Sequence, residues 1–203
     1  MNKRTQHGFT LYELLITVLI VGVVLTVGVP NMLAFNQNSR MTSTANDIHS
    51  AFHLARSESS RAKTNITVCA SSSSMGASPD CEGTWNQGFI VFVDDDGDLS
   101  VDSGTDSVLR AYPAVDDSIT LAVEGDATYF SFASTGLGRA NVGGNTAVSR
   151  MVMCDKRGTE TAAGGRSAAR LFVITPLGRA QIFNDNSEDI IDDALTEMSK
   201  TCP

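Results

Sequence analysis

The sequence is poor in basic residues and in the motifs of catalysis. Its 203 residues hold 15 Lys and Arg against 23 Asp and Glu, for a formal charge of −8. An acidic chain is a poor general nucleic-acid binder, because phosphate contacts need cations. The chain contains no Gly-x-Ser-x-Gly nucleophile motif, no phosphate-binding glycine loop with a lysine, and no convincing Ser/His/Asp order. We therefore expect no enzyme and no catalytic residues.

Long apolar runs are also scarce, with one exception near the N-terminus. Residues 9–29 contain a single charged side chain, Glu13. At 1.5 Å per helical residue this run spans about 31 Å, the thickness of the hydrocarbon core of a bilayer. Lys3 and Arg4 precede it, so the positive-inside rule predicts a cytoplasmic N-terminus and an exported remainder.

A cleavage signal precedes the apolar run instead of following it. A secretory signal would close its apolar core with small residues such as A-x-A, whereas here Gly8 stands before the run. The segment GFTLYE, from Gly8 to Glu13, resembles the processing motif of type IV prepilins and type II secretion pseudopilins, with Tyr12 where Ile or Val is usual. The resemblance implies that a prepilin peptidase cuts after Gly8, removes residues 1–8 as a basic leader, and methylates the amine of Phe9.

A carboxylate inside a membrane segment is costly, so Glu13 calls for a partner. The resemblance implies one: the amine of Phe9 on a neighbouring subunit, which Glu13 would neutralise while setting the register of the filament. The alternative is that Glu13 lies near the helix end and reaches back to the membrane interface.

Pro30 follows the apolar run directly and predicts a kink, because proline removes a helical hydrogen bond and clashes with the preceding turn. Beyond it, apolar residues spaced by four, three, four and three positions form one stripe: Met41, Ala45, Ile48, Phe52 and Ala55. This periodicity indicates an amphipathic helix. We predict one helix over residues 9–62, with a transmembrane or filament-core half at 9–29 and an amphipathic half at 30–63 that packs on a sheet.

After Lys63 the apolar pattern changes to the period of strands, which predicts a β-rich globular domain over residues 64–203. Strands are predicted at 65–70, 88–93, 108–112, 119–123, 129–133, 150–154, 171–175 and 180–183, with a glycine-rich loop at 136–144 and a short helix within 187–200. Trp85 is expected to anchor the packing. The fold class is therefore α+β, a long kinked helix packed on an antiparallel β-rich domain. With the features Trp85/Gly88 and Gly178-Arg179, this layout resembles the FimT/FimU/GspH group of minor pilins and pseudopilins over most of the chain, which implies the pilin fold.

Four cysteines fit an exported domain, because an even count in an oxidising compartment usually means disulfides. Three connectivities are open to them. We favour Cys69 with Cys81, closing a serine-rich loop, and Cys154 with Cys202, tying the C-terminal tail to a strand. Zinc binding is the alternative, but no C-x-x-C spacing occurs.

Two groups of side chains have the spacing of metal ligands. Alternating carboxylates around a glycine resemble a calcium loop, and they are Asp94, Asp96, Asp98 and Asp102. The alternative is a solvated turn. His49 and His53 share a helix face, but Ser50 stands where the HExxH motif requires Glu, and no third ligand is evident. We expect surface or groove histidines there and no bound cofactor, with calcium as the one open alternative.

A basic stretch at residues 150–179 raises the possibility of DNA contact through Arg166, Arg170 and Arg179. Some pilins of the resembling group take up DNA through a Gly-Arg-x-Arg motif, whereas here Gly178-Arg179 is followed by Ala180 and Gln181. The second arginine is missing and no aromatic stacking platform is evident. DNA is thus an unfavoured partner, and a solvated loop that pairs with an acidic neighbouring subunit is the alternative.

The resemblance implies a minor pilin of a type IV pilus, a structural subunit that supports pilus biogenesis, adhesion and twitching motility. Its implied partners are the prepilin peptidase, other major and minor pilins and, before assembly, the lipid of the bacterial inner membrane. The exported domain would be periplasmic first and part of the filament later. Two alternatives stay open: a GspH-like pseudopilin acting in type II protein secretion, and a pilin for DNA uptake.

Overall fold

A computed structural model describes residues 9–139, 141–161, 166–185 and 189–202. Gly8 and the rest of the predicted leader lie outside the described residues. The chain divides into two compact units, one ending at Ser39 and the other beginning at Arg40.

The first unit is helical from Leu11 onward. Helix α1 spans Leu11–Val23, a π-helical segment follows at Val24–Gly28, and helix α2 runs over Val29–Ala62. Pro30 lies in the first turn of α2. Because proline has no N–H to donate to the preceding turn, the hydrogen-bonding pattern has to change there. The change of helix geometry therefore falls just before Pro30, and the helix continues past the proline.

From Arg40 onward, one face of α2 is buried in a hydrophobic core. The predicted apolar stripe is confirmed, since all five of its side chains are buried: Met41, Ala45, Ile48, Phe52 and Ala55. Ser59 is a buried polar residue of this helix, and its hydroxyl donates to the carbonyl of Arg56 at 2.9 Å. The amphipathic half of the helix is thus part of the folded unit.

Two antiparallel sheets and a short helix complete the second unit. The first sheet has the order β3-β2-β1-β5-β6, with β1 Ile66–Ala70, β2 Phe89–Val93, β3 Ser107–Tyr112, β5 Tyr129–Phe132 and β6 Gly138–Arg139. The second has the order β4-β7-β8-β9, with β4 Ile119–Val123, β7 Arg150–Asp155, β8 Arg166–Ile174 and β9 Ala180–Asp185. Helix α3 spans Ile190–Glu197. The α+β prediction is confirmed.

An aromatic cluster joins α2 to both sheets. The ring centre of Phe52 lies 6.1 Å from that of Trp85, 5.8 Å from that of Phe130 and 4.7 Å from that of Phe172. Phe130 belongs to the first sheet and Phe172 to the second. Trp85 Nε1 donates to the carbonyl of Ala127 at 2.9 Å, so its buried polar end is satisfied as a packing anchor requires.

Strand β7 separates two apolar layers, because successive side chains of a strand point to opposite faces. Met151 and Met153 belong to the core that contains α2, whereas Val152 and Cys154 belong to a second cluster. Helix α3 covers this second cluster with its buried side chains, which are Ile191, Ala194 and Leu195.

Two strands differ from the sequence prediction. Strand β8 begins at Arg166, not near residue 171, because its pairing with β9 shifts register between Arg166 and Leu171 and a bulge interrupts the period-2 pattern. Strand β6 lies inside the predicted glycine-rich loop, and two residues are too few to show any periodicity.

Candidate functional site

The N-terminal helix leaves its apolar side chains exposed. Every large apolar side chain from Phe9 to Phe35 exposes at least 39% of its surface. By length and composition the helix Leu11–Ala62 could cross a membrane, with a mean hydropathy of 2.4 in its most apolar window. Apolar surface on this scale is unfavourable in water and marks a binding surface. It requires lipid or the apolar helices of other chains around it.

Glu13 caps the helix in which it lies. Its Oε2 accepts hydrogen bonds from the backbone N–H and the hydroxyl of Thr10, both at 2.9 Å, and Thr10 Oγ1 accepts from the N–H of Glu13 at 3.2 Å. This reciprocal pair is a capping box, which satisfies helix N–H groups that lack an intrahelical partner. This capping role was not predicted from the sequence, although the spacing Thr10-x-x-Glu13 is the sequence pattern of a capping box.

The capping box leaves Glu13 able to bind a second partner. A carboxylate offers about four lone-pair positions, and Thr10 uses only Oε2. The side chain is exposed to the surroundings of the helix. Glu13 can therefore take part in the capping box at the start of helix α1 and, at the same time, pair with a cation that belongs to another chain.

The four cysteines form two disulfide bonds. Cys69 of β1 is joined to Cys81, with Cα atoms 5.5 Å apart, and Cys154 of β7 is joined to Cys202, with Cα atoms 5.6 Å apart. The first bond closes the serine-rich loop and the second holds the tail that follows α3. With all four sulfurs in disulfides, no cysteine thiolate is available to bind zinc.

Three of the four aspartates proposed for calcium lie together. Asp94, Asp96 and Asp98 bring one carboxylate oxygen each within 4.8 Å of one another. Asp102 is not part of this group of three. Its N–H donates to Asp106 Oδ2 at 2.9 Å, and Asp106 Oδ1 accepts from the N–H of Asp95 at 3.2 Å. The three clustered oxygens are of the kind that Ca²⁺ prefers.

An arginine occupies the surroundings of the same carboxylates. Asp94 is fully buried and accepts a hydrogen bond from Thr67 Oγ1 at 2.7 Å. Arg139 Nη1 lies 3.7 Å from Asp94 Oδ2, and Arg139 Nη2 donates to the carbonyl of Gly97 at 3.1 Å. Burial raises the pKa of Asp94, while the hydrogen bond from Thr67 and the charge of Arg139 oppose the rise. This network supports the buried carboxylate without a metal ion, and calcium stays a prediction.

His49 and His53 approach each other by their nitrogen edges. Their Nε2 atoms are 3.2 Å apart, whereas their ring centres are 4.3 Å apart. Partial burial, with smaller contributions from His49 and Arg56, lowers the pKa of His53. Surface or groove histidines were expected; His49 borders a groove, and the contact between the two Nε2 atoms was not predicted.

The three arginines proposed for DNA contact do not form one patch. Arg166 lies opposite Asp185 in the backbone register at one end of the β8–β9 hairpin, and Arg179 lies in the connection at the other end. The five residue steps along β9 between these ends correspond to about 16 Å. Arg170 is half-buried, and its Nη1 donates to three carbonyls of its own strand. Arg170 is thus engaged in the bulge of β8, and DNA contact stays a prediction.

Gly178 has a structural role that the sequence did not reveal. Its φ is +71°, and a Cβ there would lie 2.8 Å from a ring carbon of Phe132 and 2.9 Å from the carbonyl of Gly136. Its own carbonyl accepts a hydrogen bond from Arg56 Nη1 at 3.1 Å. The left-handed turn and the close packing both require glycine, so Gly178 fixes the β8–β9 turn against helix α2.

Arg150 links the sheet to the C-terminal helix, a role that the sequence analysis also missed. Its Nη2 lies 2.6 Å from Glu124 Oε1, and its Nη1 pairs with Glu197. The hydrogen bond from Arg150 lowers the pKa of Glu124. This three-residue network ties the end of β4 to the end of α3.

Two family models match the chain. Residues 3–29 match the prokaryotic N-terminal methylation motif, which defines a pilin-like class whose members are processed by prepilin peptidase and assemble with other pilins. Residues 44–178 match the model of the type II transport protein GspH, and the chain belongs to that family. The resemblance to minor pilins and pseudopilins is thereby confirmed, and these families are structural. The motif and the apolar helix fit membrane anchoring followed by incorporation into a pilus-type filament.

Among solved structures, the type IV minor pilin FimU of Pseudomonas aeruginosa is similar in two crystal forms. The P21 form has 16% identity and a TM-score of 0.47, covering 73% of this chain and 92% of that chain. The P65 form has 17% identity and a TM-score of 0.45, covering 70% and 91%. The comparison with curated proteins gives no match.

Proposed function

We propose that this chain is a minor pilin of a type IV pilus, a non-catalytic subunit that supports pilus assembly and, through it, adhesion and twitching motility. The observation that carries the proposal is the exposed apolar surface from Phe9 to Phe35, placed directly behind a prepilin processing motif. Lipid covers this surface before assembly, and the helices of other pilins cover it in the filament. Burial of apolar area against protein then replaces burial in lipid.

The orientation follows from the charges and the cysteines. Lys3 and Arg4 hold the leader in the cytoplasm, and the unit with the two disulfides is exported to the oxidising periplasm. Cleavage after Gly8 leaves Phe9 as the new, methylated N-terminus. Residues 9–29 form the membrane-spanning segment until the subunit enters the filament.

In the filament, the carboxylate of Glu13 neutralises the amine of Phe9 on the neighbouring subunit. Two charges placed among apolar helices are stabilised only as a pair. The capping box supports this role, because it fixes the position of the carboxylate through Oε2 and leaves Oε1 for the incoming amine.

Two variants at position 13 separate the charge from the cap. Gln retains the capping box but removes the negative charge, whereas Ala removes both. We expect Glu13→Gln and Glu13→Ala to insert into the inner membrane normally and to be equally absent from sheared filaments, measured by immunoblot of the two fractions. Incorporation of Glu13→Gln at the wild-type level would refute the pairing and leave Glu13 with the capping role alone.

Processing is tested by the intact mass of the chain purified from its native membrane. We expect a chain that begins at N-methylated Phe9 and is four hydrogens lighter than its reduced form, because it carries two disulfides. A chain that still begins at Met1 in cells with active prepilin peptidase would indicate an ordinary membrane anchor and contradict the proposed filament role.

A second candidate is a pseudopilin of type II secretion, because the matching family model is described as a type II transport protein. Deletion of the gene in its native host separates the two. Loss of surface pili and twitching with normal protein secretion supports the minor pilin. Accumulation of secreted proteins in the periplasm with normal pili supports the pseudopilin.

A further inference from the structure

The strongest chemistry outside the N-terminal helix is the histidine pair on α2. His49 and His53 are four residues apart, so they lie one above the other on one face of the helix. Their Nε2 atoms are closer to each other than their ring centres are, at 3.2 Å against 4.3 Å. The rings therefore converge at the nitrogen atoms that bind metals, and do not stack by their carbon edges.

The separation of the two nitrogens fits a single metal ion. Imidazole nitrogens bind Zn²⁺ at 2.0–2.1 Å. Two nitrogens at this distance from one ion and 3.2 Å from each other subtend an angle of about 100° at the ion, between the square-planar and tetrahedral values. The separation of the two Nε2 atoms is therefore compatible with a bidentate ligand.

We propose that His49 and His53 form a binding site for a divalent transition-metal ion, with water in the remaining coordination positions. In the ion-free chain, one ring donates its Nε2–H to the Nε2 atom of the other. When the metal binds, the donor ring carries its proton on Nδ1 instead, so both Nε2 lone pairs are available and both rings stay neutral. Neutral imidazole is the ligand. Imidazole ligands favour Cu²⁺, Ni²⁺ and Zn²⁺ over Mg²⁺ and Ca²⁺.

The surroundings leave room for the other ligands of the ion. His49 borders an open groove of about 400 Å³ between α2 and β9, whose other lining side chains include Asn46 and Asn184. These amides can hydrogen-bond to metal-bound water. Two arginines lie near the pair, but each donates to backbone carbonyls: Arg170 to those of its own strand and Arg56 to that of Gly178.

The site is distinct from the other possible ligands of the chain. The four cysteines are in disulfides. The three clustered aspartates offer only oxygens, which suit hard cations. His7, the third histidine of the sequence, stands in the leader and is absent after cleavage.

The test is calorimetric titration of the full chain in detergent micelles with Ni²⁺ at pH 7.5. We expect one ion per chain, with a Kd at least about tenfold higher in His49→Gln and in His53→Gln, because a single imidazole loses the chelate effect. His7→Gln and Asp96→Asn serve as controls and should leave the Kd unchanged. Excess Mg²⁺ or Ca²⁺ should not compete.

A matched variant keeps the number of histidines. His53→Gln combined with Ser57→His places two imidazoles eight residues apart, about 12 Å along the helix, where they cannot share an ion. His53 and Ser57 are both exposed, so this variant should fold. Ni²⁺ should raise the thermal unfolding midpoint of the wild type and not that of this variant. Equal affinity in the two proteins would overturn the proposal.

The ligands themselves are read by electron paramagnetic resonance of the Cu²⁺ complex. We expect hyperfine structure from two equivalent nitrogens in the wild type and from one in His53→Gln. A wild-type spectrum that is unchanged by His53→Gln would place the ion elsewhere and overturn the assignment of the site.

Discussion

Phe35 and Phe52 lie on the same helix and meet opposite surroundings. Phe35, in the first unit, exposes 65% of its surface, whereas Phe52, in the second, exposes 1% and packs against three aromatic rings. The difference lies in the partners that the rest of the chain provides. Among the described residues up to Ser39, every large apolar side chain stays exposed. From Arg40 onward the two sheets supply partners.

The comparison shows that hydrophobicity serves two separate purposes in this chain. In the second unit, apolar burial contributes to the free energy of folding. In the first unit the large apolar side chains stay exposed, and we predict that folding of the second unit does not depend on them. The sequence pattern carries the distinction: a continuous apolar run at residues 9–29, and a one-sided stripe from Met41 to Ala55.

The largest expected effect is on location. A chain that begins at Arg40 retains every buried residue of the core and loses the membrane-length apolar segment. We expect it to move completely from the membrane fraction to the soluble fraction and to unfold cooperatively in urea, followed by circular dichroism. An insoluble or non-cooperative product would show that the first unit contributes to folding, and the division at Ser39 would then be wrong.

The second prediction compares the two phenylalanines directly. Phe52→Ala should lower the free energy of unfolding by about 3–5 kcal/mol, because it removes a buried aromatic ring and leaves a cavity. Phe35→Ala should change it by no more than about 0.5 kcal/mol, since it removes exposed surface. Urea unfolding of both variants in detergent gives the two values. Similar losses would contradict the claim that the units use apolar side chains differently.

The third prediction concerns the disulfides, which occur only in the second unit. Loss of loop-closure constraint predicts destabilisation of up to about 4 kcal/mol for removal of Cys154–Cys202 and about 3 kcal/mol for Cys69–Cys81. The order follows from their sequence separations of 48 and 12 residues. Paired Cys→Ala variants, measured by urea unfolding, test it. Membrane insertion of both should be normal, and a failure to insert would break the separation of the units.

The smallest expected effect is the pH dependence of Glu124. Its pKa is lowered in the folded state, so its contribution is present above the unfolded-state pKa near 4.5 and is lost as the pH falls through the folded-state value. We expect Glu124→Gln to cost about 1 kcal/mol or less at pH 7 and to reduce the loss of stability between pH 7 and pH 3.5. Glu82→Gln, on an exposed loop, is the control; an equal reduction there would contradict the assignment to the Arg150 network.

Much of the fold was predictable, because it follows local periodicity. The stripe on α2, strand β4 and the buried face of α3 all carry regular apolar spacing, which sequence alone displays. The predicted strand was shorter than β8, because the side chains in the first half of β8 are small or polar and the strand bulges out of register there. Bulges depend on pairing with β9, and a single strand does not reveal its partner.

The candidate sites divide in the same way. The N-terminal motif is contiguous, so sequence reasoning could recognise the segment from Gly8 to Glu13. Two ion-pair networks join residues that lie far apart in the chain: Arg139 with Asp94, and Arg150 with Glu124 and Glu197. No spacing rule predicts such pairs from the sequence. The histidine pair is intermediate, since the spacing was visible and only the structure shows that the nitrogens converge.

The two disulfides also limit how far the chain can lengthen under load. A fully extended residue spans about 3.5 Å, so the stretches closed by Cys69–Cys81 and Cys154–Cys202 withhold about 40 Å and about 170 Å of extension. A subunit pulled between its N-terminal helix and a point beyond Cys202 can therefore yield only the remaining length, even if every hydrogen bond breaks. For a protein proposed to work in a filament, covalent closure sets an upper bound on mechanical extensibility that folding stability alone does not provide.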